Sequence, residues 1–357
     1  FYHRTQRINM ANEYLFFGSF LLFVILMLSI DIGIFNKKDH AVSFKEAAIM
    51  SFIWVSYAMG FYFFLLGEGQ LLHGIQIEEQ LFQITQKNQH NINLIPNNFA
   101  ANLSAYKQNL ALEFLTGYII EYALSVDNIF VMVLIFTAYG VNEKYYHRVL
   151  FWGIVGAVLM RFLFIFLGAT LITKFAWILY LFGAFLIYTG IMIFVNKDAD
   201  EKIDPNNHIV VKLASKYFSV LPNFAGNQFF VRKNGKTLIT TLFLVLLIVE
   251  FTDLVFAIDS IPAIFAVTKD PYIVFFSNIF AILGLRSMFF LLVNIIHKFH
   301  YLKFGLAFLL IFIGIKMLLH DWLTLLGFTI MHSLFVILII LTTSIIASLI
   351  FPPKIKQ

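Results

Sequence analysis

Thr252-Asp253-Leu-Val-Phe-Ala-Ile-Asp259-Ser260-Ile-Pro262 and, earlier, Glu121-Tyr-Ala-Leu-Ser-Val-Asp127-Asn128 each set two carboxylates six residues apart inside an apolar stretch long enough to cross a bilayer. An ionisable side chain at that depth costs about 2.5–3.5 kcal/mol or more on insertion scales, so it usually marks an ion or proton pathway. The arrangement occurs twice, which points to a transport path through the membrane rather than to one isolated charge.

Composition agrees. The chain is 60% hydrophobic and 13% charged, with a mean hydropathy of +0.84; a soluble domain carries roughly 25% charged residues. It contains no Cys, which excludes disulfides, thiolate metal sites and Cys nucleophiles. The 44 Phe suit lipid-facing and interhelical packing. A net charge of +5 is no nucleic-acid signal here, because the basic residues sit between the apolar runs. The first residue is Phe rather than Met, which leaves room for residues upstream.

The apolar runs predict nine spans, near 14–34, 46–66, 110–139, 148–171, 175–195, 238–268, 272–296, 304–319 and 325–351. The first is too long for a signal-peptide core. The third and sixth exceed the ~20 residues a straight span needs, so tilt, a break or an extension past the surface is expected. Lys and Arg set the orientation. With the N-terminus outside, the inner segments hold sixteen of them, Lys37 to Lys356, against six outside (Arg4, Arg7, Lys87, Lys107, Lys174 and Lys269). The expectation is therefore N-out and C-in. Residues 67–109 form an Asn- and Gln-rich outer loop, read as a tolerated insertion in which Glu78-Glu79 could form a short helix or lie disordered. Residues 196–237, with Pro205 and Pro222, form a cytoplasmic loop read mainly as a linker.

The fold class expected is all-α and polytopic, one transmembrane domain over 1–357, built on an inverted repeat. Aligning Asp127 with Asp259 brings Glu121 onto Asp253 and Asn128 onto Ser260. Each acidic span is followed by one carrying a lone Arg, Arg161 or Arg286, and then by a span with a small-residue step, Gly183-Ala184 or Gly305-Leu-Ala307. Repeat 1 thus covers about 110–195 and repeat 2 about 238–319, in opposite orientations, a plan that puts a substrate site at the midplane. Carboxylates six residues apart on a straight helix point about 120° away from a shared direction. Pro262 removes a donor and clashes with the carbonyl of Ile258, so a discontinuity is expected in the sixth span; Phe130 stands at the aligned position of the third.

At these residues the chain resembles the TerC/Alx family of integral membrane proteins. The resemblance is carried by Leu115-Thr-Gly-Tyr-Ile-Ile-Glu121, Ser125-Val-Asp-Asn-Ile-Phe130, Phe229-Phe-Val-Arg-Lys-Asn-Gly235, Val249 through Val267, and Ser277-Asn-Ile-Phe-Ala-Ile-Leu-Gly-Leu-Arg286. It extends across all nine spans and is closest to Alx-type members. It implies a nine-span protein of the bacterial inner membrane and, for Alx-type members, export of Mn²⁺ from the cytosol. Other members are tied to tellurite resistance or to thylakoid biogenesis, which keeps a scaffold or insertion role open. The 67–109 loop is longer than the family pattern.

Carboxylate, amide and hydroxyl ligands suit hard cations such as Mg²⁺, Ca²⁺ and Mn²⁺. Asp127, Asn128, Asp259 and Ser260 are the leading ligand candidates; Glu121 and Asp253 either complete the shell or carry counter-transported protons. The alternative for Glu121 and Asp253 is a structural ion pair with Arg161 or Arg286. Glu250, three residues before Asp253, could be ligand, proton relay or Arg partner. Glu113 is expected near the outer surface and solvated, Asn278 in a helix–helix hydrogen bond, Asp31 in a capping or snorkelling role. The histidines, His73 and His90 among them, are expected at span ends and interfaces. No enzymatic motif, no bound cofactor and no nucleic-acid partner is expected; an intramembrane aspartyl protease would need Gly-x-Gly-Asp, which is absent. The expected partners are the lipid bilayer, a divalent cation and a counter-ion, H⁺ or Na⁺.

Overall fold

The computed structural model describes residues 15–30, 42–175, 177–195, 209–221, 225–233, 236–293 and 301–351; the side chains of Asp127 and Asp259 are among the few within these stretches that fall outside the description, as do Asp31 and His297. The apolar runs become helices, in order α1 (Leu15–Ile30), α2 (Phe44–Glu68), α3 (Glu78–Lys87), α4 (Phe99–Ala138), α5 (Tyr146–Lys174), α6 (Ile178–Val195), α7 (Ile209–Tyr217), α8 (Thr241–Phe265), α9 (Pro271–Leu292), α10 (Leu302–Leu318), α11 (His320–Leu325) and α12 (Ile330–Ile350). Seven of these, α2, α4, α5, α6, α8, α9 and α12, are long and apolar enough to span, taking α2 and α5 with the short 3₁₀ turns that adjoin them. Helices α1 and α10 stand where the two remaining spans were expected but are shorter, at 16 and 17 described residues.

Local sequence sets the ends. Ser43 caps α2 in a reciprocal box with Glu46. Asp270 caps α9 by accepting from the Tyr272 amide, with Pro271 in the first turn. Helix α4 runs 40 residues, about 60 Å at 1.5 Å per residue, and so projects well past one membrane surface. Helix α8 stays helical through Pro262, which corrects the expected discontinuity. Pro262 lies three residues from the helix end, where one lost bond does not stop the last turn.

Helix α9 is buried along its whole length. An all-round apolar helix needs such a place, and α2, α4 and α5 pack around it. Glycine contacts fix the directions. A Cβ at Gly117 would meet Ser277 and Ile264, while Gly284 approaches Tyr122, so α4 and α9 run parallel. Gly153 faces Val249 and Gly168 faces Phe265, so α5 and α8 run parallel. A Cβ at Gly183 would lie 3.0 Å from the Gly314 carbonyl, and one at Gly190 2.8 Å from that of Ala307. Seven residues forward on α6 are seven back on α10, so this pair is antiparallel. Small residues let backbones approach this closely in membranes.

Two loops are more ordered than the sequence suggested. In the 67–109 segment a 3₁₀ turn (Gly69–Leu72) and α3 bury His73, Gln80, Thr85, Asn88 and His90. The 196–237 segment holds α7 and a three-stranded sheet of β1 (Val220–Leu221), β3 (Lys236–Thr240) and β2 (Phe230–Lys233) in that order, a minor exception to the all-α class; its two prolines lie outside the described residues.

Candidate functional site

Where α4, α5, α8 and α9 meet, one guanidinium gathers side chains from all four. Arg161 of α5 is fully buried and donates through Nη1 to Glu121 Oε1 of α4 at 2.5 Å. The same nitrogen donates to Ser260 Oγ of α8 at 2.9 Å and to Asn278 Oδ1 of α9. Its Nη2 lies 3.5 Å from Asp253 Oδ1 of α8. The register follows from packing: Gly117 meets Ile264, and four residues on Glu121 reaches Ser260, four residues back. Helices α4 and α8 are therefore antiparallel at the site, with their acidic residues brought to one level.

Four of the sequence-derived residues thus come together, Glu121, Asp253, Ser260 and Arg161. The pairing of both acids with Arg161, one of the two alternatives for them, is what the geometry displays. Satisfaction is incomplete. Glu121 Oε2, Asp253 Oδ2 and the Arg161 Nε are buried without a hydrogen-bond partner among the described residues. A buried polar atom left unpaired costs about 1–3 kcal/mol, more when charged, so two acids converge on one cation with acceptor capacity to spare. Asn128 is buried on the same helix as Glu121. The side chains of Asp127 and Asp259, one turn or more away, lie outside the description.

Glu250 of α8 makes no ion pair with Arg161 but lies within reach of the Asp253 charge, its carboxyl filling the notch at Gly156 of α5; a Cβ there would fall 2.0 Å from Oε1. Arg286 is buried on α9, beside a small cavity lined by Trp54, Met50 and Ser287. Asn278 was expected in a helix–helix hydrogen bond and makes one, to Arg161, which places it within the cluster. Its sequence signal was a lone amide in an apolar span, without a counterpart in the first repeat.

A second polar cluster went unforeseen. Glu113, expected to be solvated, is buried (2% exposed) and accepts from Asn109 Nδ2 at 2.7 Å and Thr268 Oγ1 at 2.6 Å. His90 Nδ1 lies 2.9 Å from Glu113 Oε1, and its Nε2 is 3.8 Å from Asp270 Oδ2. His73 Nε2 is 3.3 Å from the same oxygen, and its Nδ1 is 2.8 Å from the Tyr106 hydroxyl. Both histidines are buried rather than interfacial. Their electrostatics diverge. Burial drives the His73 pKa down to about 4 despite the attraction of Asp270. Burial also penalises the charged form of His90, but the charge and hydrogen bond of Glu113, helped by Asp270, outweigh it and raise the pKa above 6.5.

The model of the integral membrane protein TerC family matches residues 106–356. The "Uncharacterized membrane protein STKORF319" of Myxococcus xanthus is 43% identical over 333 residues, covering 93% of this chain and 91% of the relative. The "Putative membrane-bound redox modulator Alx" of Salmonella typhi is 40% identical over 318 residues, 88% of each. An uncharacterized membrane protein of Rickettsia bellii is 39% identical over 331 residues, 93% of this chain and 96% of the relative. No solved structure matches. With its apolar helices and these relatives, the chain is a multi-pass integral membrane protein and belongs to the TerC family.

Proposed function

We propose that this protein is a secondary transporter that exports divalent cations, Mn²⁺ foremost, across the bacterial inner membrane by alternating access. The carrying observation is the buried Glu121–Arg161–Asp253 arrangement, with two carboxylates served by one guanidinium and an unpaired oxygen left on each acid. In this reading Arg161 stands in for the cargo's charge, and a hard cation displaces it to take oxygen ligands. Asp127, Asp259, Asn128 and Ser260 complete the ligand set, Glu250 and Arg286 relay protons or gate the path, and H⁺ or Na⁺ moves in exchange. The opposed directions of α4 and α8 and of α6 and α10 support an inverted repeat, with repeat 1 near 110–195 and repeat 2 near 238–319. N-out and C-in follows from the basic-residue asymmetry. The choice of Mn²⁺ over Mg²⁺ or Ca²⁺ rests on the family resemblance. No chemistry on substrate and no prosthetic group is invoked. The Alx relatives are named for redox modulation; this sequence has no Cys with which to do thiol chemistry itself.

A second reading has one observation in its favour: Arg161 already pairs both acids, as it would in a polar core that only holds helices together. A scaffold, an insertion factor or a tellurite-stress protein would need no more. Reconstituted vesicles with an entrapped Mn²⁺ indicator separate the two. The transporter reading expects saturable Mn²⁺ flux that falls at least tenfold in Asp253→Asn, Asp127→Asn and Asp259→Asn at equal incorporation. Vesicles in which wild-type protein moves none of Mn²⁺, Mg²⁺ or Ca²⁺ would leave the scaffold reading in possession.

A further inference from the structure

The His73–His90–Glu113–Asp270 cluster takes no part in the proposed cation path, and its geometry is that of a ladder. From one side to the other run Glu113, His90, Asp270, His73 and Tyr106, each carboxylate facing an imidazole nitrogen at 2.9 to 3.8 Å. Among the described residues no three His, Asp or Glu side chains are grouped to hold a metal ion. What the ladder can hold is protons.

The proton inventory is constrained by the partners. Glu113 accepts from Asn109 Nδ2 and Thr268 Oγ1 as well as facing His90 Nδ1. Asp270 Oδ1 accepts from the Tyr272 amide, while among the described residues His90 Nε2 has no hydrogen-bond partner and Asp270 Oδ2 faces only the two imidazoles, at 3.3 and 3.8 Å. If His90 were neutral and gave its one proton to Glu113, its Nε2 lone pair would point at a buried carboxylate oxygen. Only the imidazolium presents a donor to both acids. His73 needs no second proton, because the Tyr106 hydroxyl can donate to its Nδ1 and leave Nε2–H toward Asp270.

We propose that His90 is a proton-binding site whose imidazolium latches the 74–98 segment onto α4 and α9, and that loss of this proton unlatches the segment. The acids sit on different elements, Glu113 within α4 and Asp270 at the start of α9, while His90 belongs to neither. The approach to His90 is also held under load. Gln89 has φ +52°, a left-handed conformation that a non-glycine residue adopts only at a cost. It lets the His90 amide reach back to Thr85 O at 3.0 Å, and Lys269, next to Asp270, donates to the Gln89 side chain. The other charged and titratable groups facing the cluster are Lys87 from α3, Lys316 from α10 and Tyr106 from α4. None of them lies between His90 and its two acids in place of the imidazolium. The sign is fixed by the direction of the His90 shift: its stabilisation is complete below pH 6.5 and is lost as pH rises through the folded-state pKa.

The full chain in detergent, titrated with ¹⁵N-labelled histidine and followed by hydrogen exchange, tests this directly. The expected result is a histidine resonance, absent in His90→Gln, that stays doubly protonated past pH 6.5. Amides of 74–98, corrected for intrinsic rates, should exchange at least about tenfold faster at pH 9 than at pH 6. His90→Gln should exchange fast at both pH values, and His73→Gln should keep the wild-type pH response. A His90 that titrates at or below 6.5, equal protection at pH 6 and pH 9, or a pH response surviving His90→Gln would each overturn the proposal. Should His90→Gln fail to fold, the wild-type exchange ratio, with resonances assigned through His73→Gln and Glu113→Gln, still decides it.

Discussion

Both buried polar clusters bring an acid of α4 to side chains of the second half of the chain, yet they neutralise charge in different ways. At the centre, Arg161 serves Glu121 and Asp253 with a cation that cannot be switched off at any physiological pH. At the α8–α9 turn, an imidazole does the same for Glu113 and Asp270. The consequence is a division of labour. The cation at the centre keeps its charge at any physiological pH, whereas the one at the turn changes with pH. The difference also tracks depth, since a permanent charge sits among spans and a titratable one sits where the 67–109 segment meets them.

The largest expected effect removes the permanent cation. Arg161→Met leaves two buried carboxylates unpaired, and breaking a buried pair this way costs about 3–5 kcal/mol. Folded yield and thermal unfolding in detergent measure it. The double variant Arg161→Met with Glu121→Gln should recover part of the loss. If Arg161→Met were as stable as wild type, the centre would not be a charge-locked site and the contrast with the turn would collapse.

The next effect belongs to the turn and sharpens the contrast, because the two histidines should give pH limbs of opposite sign. His73, lowered to about 4, remains neutral in the fold while the unfolded chain protonates from 6.5 downward. Stability should therefore fall as pH drops from 6.5 toward 4, by about 3 kcal/mol at most. His90, raised, gives a loss on the alkaline side instead. Unfolding midpoints against pH should form a dome, with His73→Gln flattening the acid limb and His90→Gln the alkaline one. A pH profile unchanged by either substitution would remove the titratable cluster from the stability of the protein.

Much of this architecture was legible because hydrophobic runs, basic flanks and acidic pairs are local signals. Each of the seven long helices overlaps an expected span, although α4 starts eleven residues before its own, and Glu121, Asp253, Ser260 and Arg161 stand out in the sequence as candidate site residues. Pro262 misled, since its steric effect depends on distance from a helix end that the sequence marks only loosely. The turn cluster was invisible for another reason. His73, His90, Glu113 and Asp270 are separated by 17 to 197 residues, and no spacing rule links them. Asp270-Pro271 starts α9, but nothing in that dipeptide says that the second carboxylate oxygen faces two imidazoles. Glu113 lies near the outer end of its apolar run, where solvation is the expectation, and nothing local in the sequence signals the segment that buries it.

A third test leaves both clusters intact and loads the scaffold that holds them. Gly314→Val puts a side chain where a Cβ alone would lie 2.6 Å from the Gly183 carbonyl, and backbone cannot yield as a side chain does. Overpacking of this kind costs about 1–3 kcal/mol. The loss should be independent of pH, since α6 and α10 meet there through glycine and aliphatic groups. A pH-dependent loss would mean that the α6–α10 seam and the turn cluster are coupled.

The smallest effect is the most telling for the centre. In Gly156→Ala the atoms nearest the new methyl are the end of a flexible side chain, the Glu250 carboxyl, so stability should change by less than about 1 kcal/mol. Glu250 must nonetheless leave its notch and turn along α8, one helical turn from Asp253. If Glu250 relays protons or cargo, Mn²⁺ flux in vesicles should change several-fold while the unfolding midpoint barely moves. If it only fills space beside Gly156, flux and midpoint should both stay put. That outcome would confine the working charge of the centre to the residues around Arg161.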